Sequence, residues 1–286
     1  MAGQYSRIGV KPIAGALGAE IEGVDLARPL DNQIFSEVHQ AFLDHQVIFF
    51  RDQRITPEQQ LAFARRFGTL NVHPYAPSLE GYPEVLRIFK EKEDRVNFGG
   101  GWHSDLTFLE KPPLGSILYA REVPPHGGDT MWTNMYLAYE TLSDGLKKIL
   151  DGLKAVHSAN KQYGIDGSEA ARNNEKRSMK PNVSESAKAE LAQPVVRTHP
   201  ETGRKALFVN GAFTDRFEGW TKEESRPLLS FLYKHAVKPE FTCRFRWAKD
   251  SLAFWDNRCT QHYALNDYHG YRREMHRVTV DGDRVF

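Results

Sequence analysis

Residues 241–247 read Phe-Thr-Cys-Arg-Phe-Arg-Trp, in which apolar and polar side chains alternate strictly. Alternation with a period of two is typical of a β-strand that has one buried face. Two more strand-like runs follow closely, Ser-Leu-Ala-Phe-Trp at 251–255 and Met-His-Arg-Val-Thr-Val at 275–280. This part of the chain is therefore predicted to consist of short strands.

Further strands and a few helices are predicted on the N-terminal side of these runs. Short apolar runs predict strands at 47–50, 116–120, 130–133 and 207–209. Apolar residues at helical spacing predict helices near 32–45 and over 136–153, and Thr56-Pro57 predicts the start of another helix that stops at Gly68. Many short strands and few long helices predict a mainly β fold with flanking helices, built on a double-sheet jelly roll.

One segment differs in composition from the rest of the chain. Residues 158–195 are rich in Ser, Asn, Lys, Glu and Ala and contain few large apolar side chains. Such a composition predicts a lid-like surface insertion, not core. The sequence contains no internal repeat and no linker, so residues 1–286 are expected to form a single domain.

Composition excludes several classes of function. The chain has 286 residues, 40% of them hydrophobic, and a net charge of +1, so no general basic field favours binding to nucleic acid or to an anionic membrane. No apolar run reaches the length of a bilayer span. Residues 1–9 lack the apolar stretch of a signal peptide, and two cysteines make a disulfide framework unexpected. These features predict a soluble, globular, intracellular protein, and its expected location is cytoplasmic.

Two segments that are far apart in the chain carry a candidate metal-binding set. Residues 102–105 read Trp-His-Ser-Asp, and residues 255–262 read Trp-Asp-Asn-Arg-Cys-Thr-Gln-His. Side chains at i and i+2 of an extended segment face the same way, so His103 and Asp105 can bind one ion. With His262 they provide two imidazoles and one carboxylate, the ligand set of non-haem Fe(II) oxygenases. Any one of the 11 histidines has a plainer explanation, so the hypothesis depends on the combined pattern.

These motifs resemble the family of taurine dioxygenase and 2,4-dichlorophenoxyacetate dioxygenase. The similarity runs over about residues 13–286 and is strongest at 102–108, 127–133 and 255–277. The resemblance implies a double-stranded β-helix (jelly roll) core and Fe(II) bound by the three candidate ligands. It also implies 2-oxoglutarate and O2 as co-substrates, succinate and CO2 as products, and a homo-oligomer that is a dimer or a tetramer.

Two residues match the 2-oxoglutarate site of that family. Arg273 lies eleven residues after His262, where the resemblance places the arginine that binds the far carboxylate. A guanidinium binds a carboxylate through two parallel hydrogen bonds, which a lysine cannot do. Thr130 matches the threonine whose hydroxyl helps to bind the same carboxylate. Arg272, beside Arg273, is expected to be a surface charge.

A second arginine suggests the charge of the substrate. Arg277 lies four residues after Arg273, so both share one face of a strand. Burying it without a partner would be costly, which favours an anionic substrate. By resemblance, Arg277 contacts the sulfonate in taurine enzymes, Phe213 forms an aromatic wall of the pocket, and His73 is the pocket histidine.

Three positions depart from the taurine enzymes. Tyr75 is one residue out of register with their pocket tyrosine, Gly99 replaces a pocket asparagine with Asn97 nearby, and Ala159 aligns with a second phenylalanine. Tyr75 and Asn97 are kept as candidate substrate contacts. Two smaller contacts predict a larger cavity and a substrate bulkier than taurine, such as a longer sulfonate, an alkyl sulfate or an aryloxyalkanoate. The alternative is a taurine dioxygenase in which residues 72–99 fold differently and restore the contacts.

Two other classes of protein remain open. A zinc hydrolase would also use a His-Asp-His set, but it would not explain Arg273 and Thr130. A non-catalytic jelly-roll metal-binding protein would not need a redox metal site. Halogenases typically lack the carboxylate ligand, so Asp105 argues against halogenation. The sequence does not distinguish hydroxylation from desaturation.

Overall fold

The computed structural model describes residues 5–286. The strands are β1 (Gly9–Pro12), β2 (Ala19–Glu22), β3 (Val47–Phe50), β4 (Leu70–Asn71), β5 (Ser78–Leu79), β6 (Tyr82–Lys90), β7 (Gly115–Glu122), β8 (Thr130–Asn134), β9 (Lys154–Ser158), β10 (Glu190–Pro194), β11 (Val196–Thr198), β12 (Lys205–Leu207), β13 (Thr214–Phe217), β14 (Thr242–Phe245), β15 (Leu252–Asp256), β16 (Thr260–Ala264) and β17 (Arg273–Val280).

The helices are shorter and lie mostly outside the sheets. They are α1 (Asn32–His45), α2 (Pro57–Ala64), α3 (Met135–Glu140), α4 (Asp144–Leu150), α5 (Asn160–Tyr163), α6 (Glu169–Asn173) and α7 (Lys222–Ala236), with 3₁₀ turns at Asn174–Lys176, Glu185–Lys188 and Pro239–Phe241. Within residues 5–286 none of the helices has the length and apolar character needed to cross a membrane.

Two sheets pack face to face to form the core. In the described part of the chain the larger sheet has nine strands in the order β1-β2-β3-β15-β7-β17-β6-β5, with β4 paired to β17, and the smaller has the order β14-β8-β16. Phe49 and Trp255 of the larger sheet pack with Trp132 and Phe245 of the smaller one, and the rings of Phe49 and Phe245 stack with centroids 4.1 Å apart. The predicted mainly β jelly roll with flanking helices is confirmed.

Helices α1 and α2 cover the opposite face of the large sheet. Asp31 caps α1 by accepting a hydrogen bond from the backbone of Ile34, and Phe42 of α1 stacks on Phe254 of β15 at a centroid distance of 4.1 Å. Thr56 caps α2 as predicted, but that helix ends at Ala64 and therefore stops before Gly68. Apolar side chains of these two helices and of this face of the sheet form a second buried apolar cluster, separate from the one between the two sheets.

Two predictions about secondary structure need correction, and one helix was missed. The helix predicted over 136–153 is two helices, α3 and α4, because Ser143 caps a new helix that begins at Asp144, with its hydroxyl accepting from the Leu146 amide. The strand predicted at 207–209 ends at Leu207, although both following residues remain buried. Helix α7 was not predicted, although Thr221 and Glu224 form the capping box that marks its start.

Segment 158–195 is more ordered and more deeply packed than its composition suggests. It forms α5, α6, two 3₁₀ turns and β10. Tyr163 and Ala187 are buried in one apolar cluster with Phe213. The expectation that the segment contributes nothing to the core is therefore wrong, because a few apolar side chains among many polar ones are enough to anchor it.

Candidate metal centre and adjoining pockets

Backbone pairing brings the two candidate histidine ligands together. His103 and His262 form an antiparallel bridge in which each amide donates to the other's carbonyl, at 3.1 and 2.8 Å. Because His262 lies in β16, which pairs with β8, the smaller sheet fixes both residues. A separation of 159 positions in the chain thus becomes direct contact.

The three candidate ligands converge on one point. Oδ1 of Asp105 lies 3.8 Å from Nε2 of His103 and 4.0 Å from Nε2 of His262. All three side chains are buried, and their ligand atoms lie within 4.8 Å of one another. This donor set matches the two-histidine, one-carboxylate arrangement that binds non-haem iron and leaves open positions.

The protonation states also suit a metal ion. The ring Nδ1 of His103 lies 2.7 Å from the carbonyl of Gly101, so it carries the proton and leaves the Nε2 lone pair free. Burial lowers the pKa of His103 and of His262. Burial alone would raise the pKa of Asp105, but Arg277 and the two imidazoles hold it well below its usual range. Neutral imidazoles and an ionised carboxylate are the forms that bind metal.

A chain of hydrogen bonds holds the second oxygen of Asp105. The Ser116 hydroxyl donates to Oδ2 of Asp105 at 2.9 Å, and Nδ2 of Asn257 donates to the Ser116 oxygen at 3.1 Å. Oδ1 of Asn257 in turn accepts from Nε1 of Trp255 at 3.0 Å. These contacts fix the carboxylate with Oδ1 towards the histidines, and sequence reasoning did not identify Ser116 or Asn257.

A second group of potential ligands does not form a metal site. His199, Asp256 and Cys259 lie close together and are buried. However, Nδ1 of His199 accepts hydrogen bonds from two backbone amides, so its Nε2 carries a proton and donates to Asp256 at 2.9 Å. Arg258 binds both oxygens of Asp256 at 2.8 and 2.7 Å. The group therefore braces the turn before β16.

A narrow cavity beside the metal centre contains unpaired donors. Arg273, Thr130, Leu118, Trp255 and His262 line it. Nε and Nη2 of Arg273 are buried without a hydrogen-bond partner in the described residues, and burial lowers the pKa of this guanidinium. Orphaned donors of this kind fit a carboxylate ligand, since leaving them unmet is costly.

One contact orients the hydroxyl of Thr130 in that cavity. Nε1 of Trp247 donates to Oγ1 of Thr130 at 3.0 Å. The indole nitrogen is a donor only, so the threonine hydroxyl keeps its own proton for another acceptor. Thr130 and Arg273 therefore both present donors to this cavity, as a carboxylate ligand would require.

A larger cavity opens on the other side of the metal centre. Its volume is about 410 Å³. Arg277 and His73 provide its polar end, next to His103 and Asp105, while its aromatic lining consists of Phe98, Tyr163, Phe213 and Tyr263. Nδ1 of His73 accepts from the backbone of Tyr75 at 3.1 Å, so Nε2 of His73 is a donor. Burial, and then the charge of Arg277, lower the pKa of His73 to about 3.

The whole chain resembles known dioxygenases in sequence and structure. The family model described as "Taurine catabolism dioxygenase TauD, TfdA family" matches residues 9–279. The chain belongs to this family. An alkylsulfatase of Acinetobacter baylyi is 38% identical and aligns with 96% of this chain and 85% of its own length. A sulfate ester dioxygenase of Pseudomonas putida is 38% identical, with 96% and 89% covered. The crystal structure of a taurine dioxygenase from Burkholderia xenovorans has a TM-score of 0.81 at 38% identity, with 97% and 90% covered.

Family membership decides between the classes that the residues left open. The protein is an Fe(II)/2-oxoglutarate-dependent dioxygenase, as the TauD and TfdA enzymes are. A zinc hydrolase and a non-catalytic metal-binding protein are set aside, because the chain aligns with dioxygenases over nearly its whole length.

In this TauD/TfdA-family chain, most of the predicted pocket residues lie together, with one exception. His73, Asn97, Phe213 and Arg277 all line the larger cavity. Tyr75 does not: its hydroxyl lies 3.4 Å from Oγ of Ser186, and its ring packs behind the cavity wall. The structure therefore places Tyr75 outside the cavity lining, in the layer behind Tyr163.

Two of the remaining pocket residues have constraints that the sequence did not reveal. Nδ2 of Asn97 donates to the carbonyls of Ala264 and Leu265 at 3.0 and 3.4 Å, so its amide braces the loop beside β16. Arg277 was expected to lack a partner without substrate, but its Nη1 donates to Oδ1 of Asp105 at 3.0 Å.

Segment 158–195 supplies pocket residues that sequence reasoning missed. Gln162, Tyr163, Glu169 and Asn173 line the larger cavity. Arg177 binds both carboxylate oxygens of Glu169, at 3.1 and 3.0 Å, and so neutralises the acidic group that this segment places in the cavity lining. No motif marked these positions, and only the folding of the segment over the cavity reveals them.

Proposed function

We propose that this dioxygenase hydroxylates a small organic anion that is bulkier than taurine, such as an alkyl sulfate, a longer sulfonate or an aryloxyalkanoate. The observation that carries the proposal is the cavity of about 410 Å³, which is aromatic along its walls and carries Arg277 and His73 at the end beside the metal ligands. The anion would bind to Arg277 and His73, and the apolar body would lie against Phe213 and Phe98.

Iron and 2-oxoglutarate would occupy the two sites already described. His103, Asp105 and His262 would hold Fe(II), and Arg273 and Thr130 would bind the far carboxylate of 2-oxoglutarate. With O2, these groups supply the oxidising chemistry that converts a C–H bond to C–OH while 2-oxoglutarate becomes succinate and CO2. The chain itself binds and orients the substrate and 2-oxoglutarate, and it excludes water from the site.

The position of the anion in the cavity determines which carbon is presented to the metal centre. Because Arg277 lies against Asp105, the carbon next to the head group is the nearest one that can react. Hydroxylation of a carbon that bears a sulfate or aryloxy group gives a product that breaks down to a carbonyl compound and the leaving anion. We therefore expect release of sulfate from alkyl sulfates. The sulfate ester dioxygenase and alkylsulfatase relatives support this choice.

The test is succinate formation by protein that is reconstituted anaerobically with Fe(II) and then given O2 and 2-oxoglutarate. The panel is taurine, longer sulfonates, alkyl sulfates and aryloxyalkanoates, and His103→Ala is the control. We expect succinate that depends on substrate, vanishes in the control and is greatest with the larger anions. Equal activity on taurine and on the larger anions would contradict the proposed size preference.

Three further expectations concern location, assembly and the covering segment. We expect the enzyme to act in the cytoplasm, since Cys243 and Cys259 are both buried as free thiols. We also expect a homo-oligomer, a dimer or a tetramer, which light scattering on the purified protein would measure. We expect residues 1–286 to form a single domain, in which segment 158–195 acts as a lid over the substrate.

A further inference from the structure

Tyr163 brings an unpaired hydroxyl into the substrate cavity. It ends helix α5 in segment 158–195, and its side chain is only 6% exposed. Its hydroxyl has no hydrogen bond to any described residue, and it is not among the fully enclosed polar atoms. Tyr163 lines the cavity that also contains Arg277 and His73, and the charges of Arg277 and Asp105 both act on its hydroxyl.

The ring of Tyr163 is held in place by its neighbours. It stacks on Tyr75 with centroids 4.7 Å apart and planes 18° from parallel, and it meets the His73 ring edge-on at 6.1 Å. The backbone is fixed as well, because the Tyr163 amide donates to Ala159 at 2.8 Å and its carbonyl accepts from Ser184 at 2.8 Å. The hydroxyl is therefore a preorganised donor and not the end of a mobile side chain.

Three donors of different kinds thus surround the anion site. Arg277 offers its guanidinium, and His73 offers the N–H of its Nε2 because its Nδ1 accepts from the Tyr75 amide. Burial raises the pKa of Tyr163 far above its usual value, so the hydroxyl keeps its proton near neutral pH and can donate it. Glu169 also faces the cavity, but Arg177 satisfies its carboxylate.

We propose that Tyr163 is a specificity residue that donates the third hydrogen bond to the substrate head group, so that the pocket prefers a sulfate or sulfonate to a carboxylate. The three terminal oxygens of a sulfate or sulfonate point in three directions and can each accept from a separate donor. The two oxygens of a carboxylate lie in one plane, so a third donor reaches them only by sharing an oxygen at a poorer angle. A poorly aligned hydrogen bond in a buried site is weaker, which is how such a site discriminates between near-isosteres. This inference rests on the proposed function, since it assigns the head group that the same cavity takes.

The test compares two anions with the same six-carbon chain, hexane-1-sulfonate and heptanoate. Their dissociation constants are measured by anaerobic calorimetry on protein loaded with Fe(II) and 2-oxoglutarate, for the wild type, Tyr163→Phe and Tyr75→Phe. Tyr163→Phe keeps the stacked ring and removes only the hydroxyl. We expect this substitution to weaken the binding of hexane-1-sulfonate about tenfold or more and the binding of heptanoate by less than about threefold. Tyr75→Phe is the matched control and should leave both constants unchanged.

The outcomes separate this inference from the proposed function. If the wild type binds hexane-1-sulfonate and Tyr163→Phe binds both anions as the wild type does, Tyr163 is not the third donor. An equal loss for both anions, or a similar loss in Tyr75→Phe, would show a packing role and overturn the inference. If the wild type binds neither anion and produces no succinate with any compound of the panel, the proposed function itself fails. Melting temperatures and the titration of 2-oxoglutarate verify that each variant is folded and loaded.

Discussion

Nη1 of Arg277 donates a hydrogen bond of 3.0 Å to Oδ1 of Asp105, the same oxygen that faces both candidate histidine ligands. Nε of Arg277 has no partner in the described residues, and the side chain lines the larger cavity. One guanidinium therefore contacts a metal ligand and still has a donor for an anion. Asp105 thus supplies a negative charge opposite Arg277, whereas the sequence had led us to expect only the substrate to provide one.

Replacing Arg277 with Gln should weaken binding of the anionic substrate by about a hundredfold or more, because breaking a buried charge pair costs about 3–5 kcal/mol. Calorimetric titration with the best anion of the panel measures this. Arg54→Gln changes an exposed arginine and should bind as the wild type does. Unchanged affinity in Arg277→Gln would remove this residue from the anion site.

Ser116→Ala should lower the affinity for the metal about 10- to 100-fold, since the hydroxyl orients Oδ2 of Asp105. Anaerobic titration with Fe(II) measures the dissociation constant without any need for turnover. Ser225→Ala is the matched control, because Ser225 is equally buried but bonds to the backbone of Phe217 and Thr221 in another part of the fold. Equal metal affinity in both variants would show that Ser116 does not position the ligand.

Trp247→Phe should raise the KM for 2-oxoglutarate several-fold and leave the KM for the anionic substrate unchanged. The indole donates to Thr130, and without it the threonine hydroxyl is free to rotate away from the carboxylate. Steady-state kinetics with each co-substrate varied in turn separates the two constants. Trp220→Phe, at a more exposed tryptophan, serves as the control. A parallel rise in both constants would indicate a general loss of structure instead.

The stability of the protein should fall as the pH drops below about 6.5, in part because of His157. Burial, and then the charge of Lys161, lower the pKa of this histidine from 6.5 to about 3. Between those two values the unfolded chain binds a proton that the folded chain does not, so unfolding becomes easier as the pH falls. One such group changes the free energy of unfolding by about 1.4 kcal/mol per pH unit.

His157→Asn tests this assignment, because asparagine can keep the hydrogen bond that Nδ1 of His157 makes with Thr107 at 2.8 Å. Urea unfolding of the metal-free protein at pH 4.5 to 7.5 measures the dependence. The variant should lose stability less steeply than the wild type below pH 6.5. An unchanged slope would assign the titration to another histidine, such as His73.

Local patterns in the sequence predicted six of the twelve strands that the described residues form in the two core sheets: β3, β7, β8, β14, β15 and β17. The alternation at 241–247 corresponds to β14, and the apolar spacing at 32–45 corresponds to α1. The prediction of one helix over 136–153 was wrong because the helical spacing of apolar residues continues across the break between two helices. Ser143 marks that break as the N-cap of the second helix. Periodicity reports which face is buried, and it does not report where one helix ends and the next begins.

The sequence by itself determined which chemical groups are present: a His-X-Asp pair on one extended segment, a distant histidine, and two arginines four residues apart on a strand. Spacing of two or four residues fixes the direction of side chains through local backbone geometry alone. Only the tertiary structure decided that Arg277 bonds to Asp105, that Ser116 holds the same carboxylate, and that Tyr163 lines the cavity in place of Tyr75. Those contacts join residues far apart in the chain, and their geometry depends on how the sheets and segment 158–195 pack together.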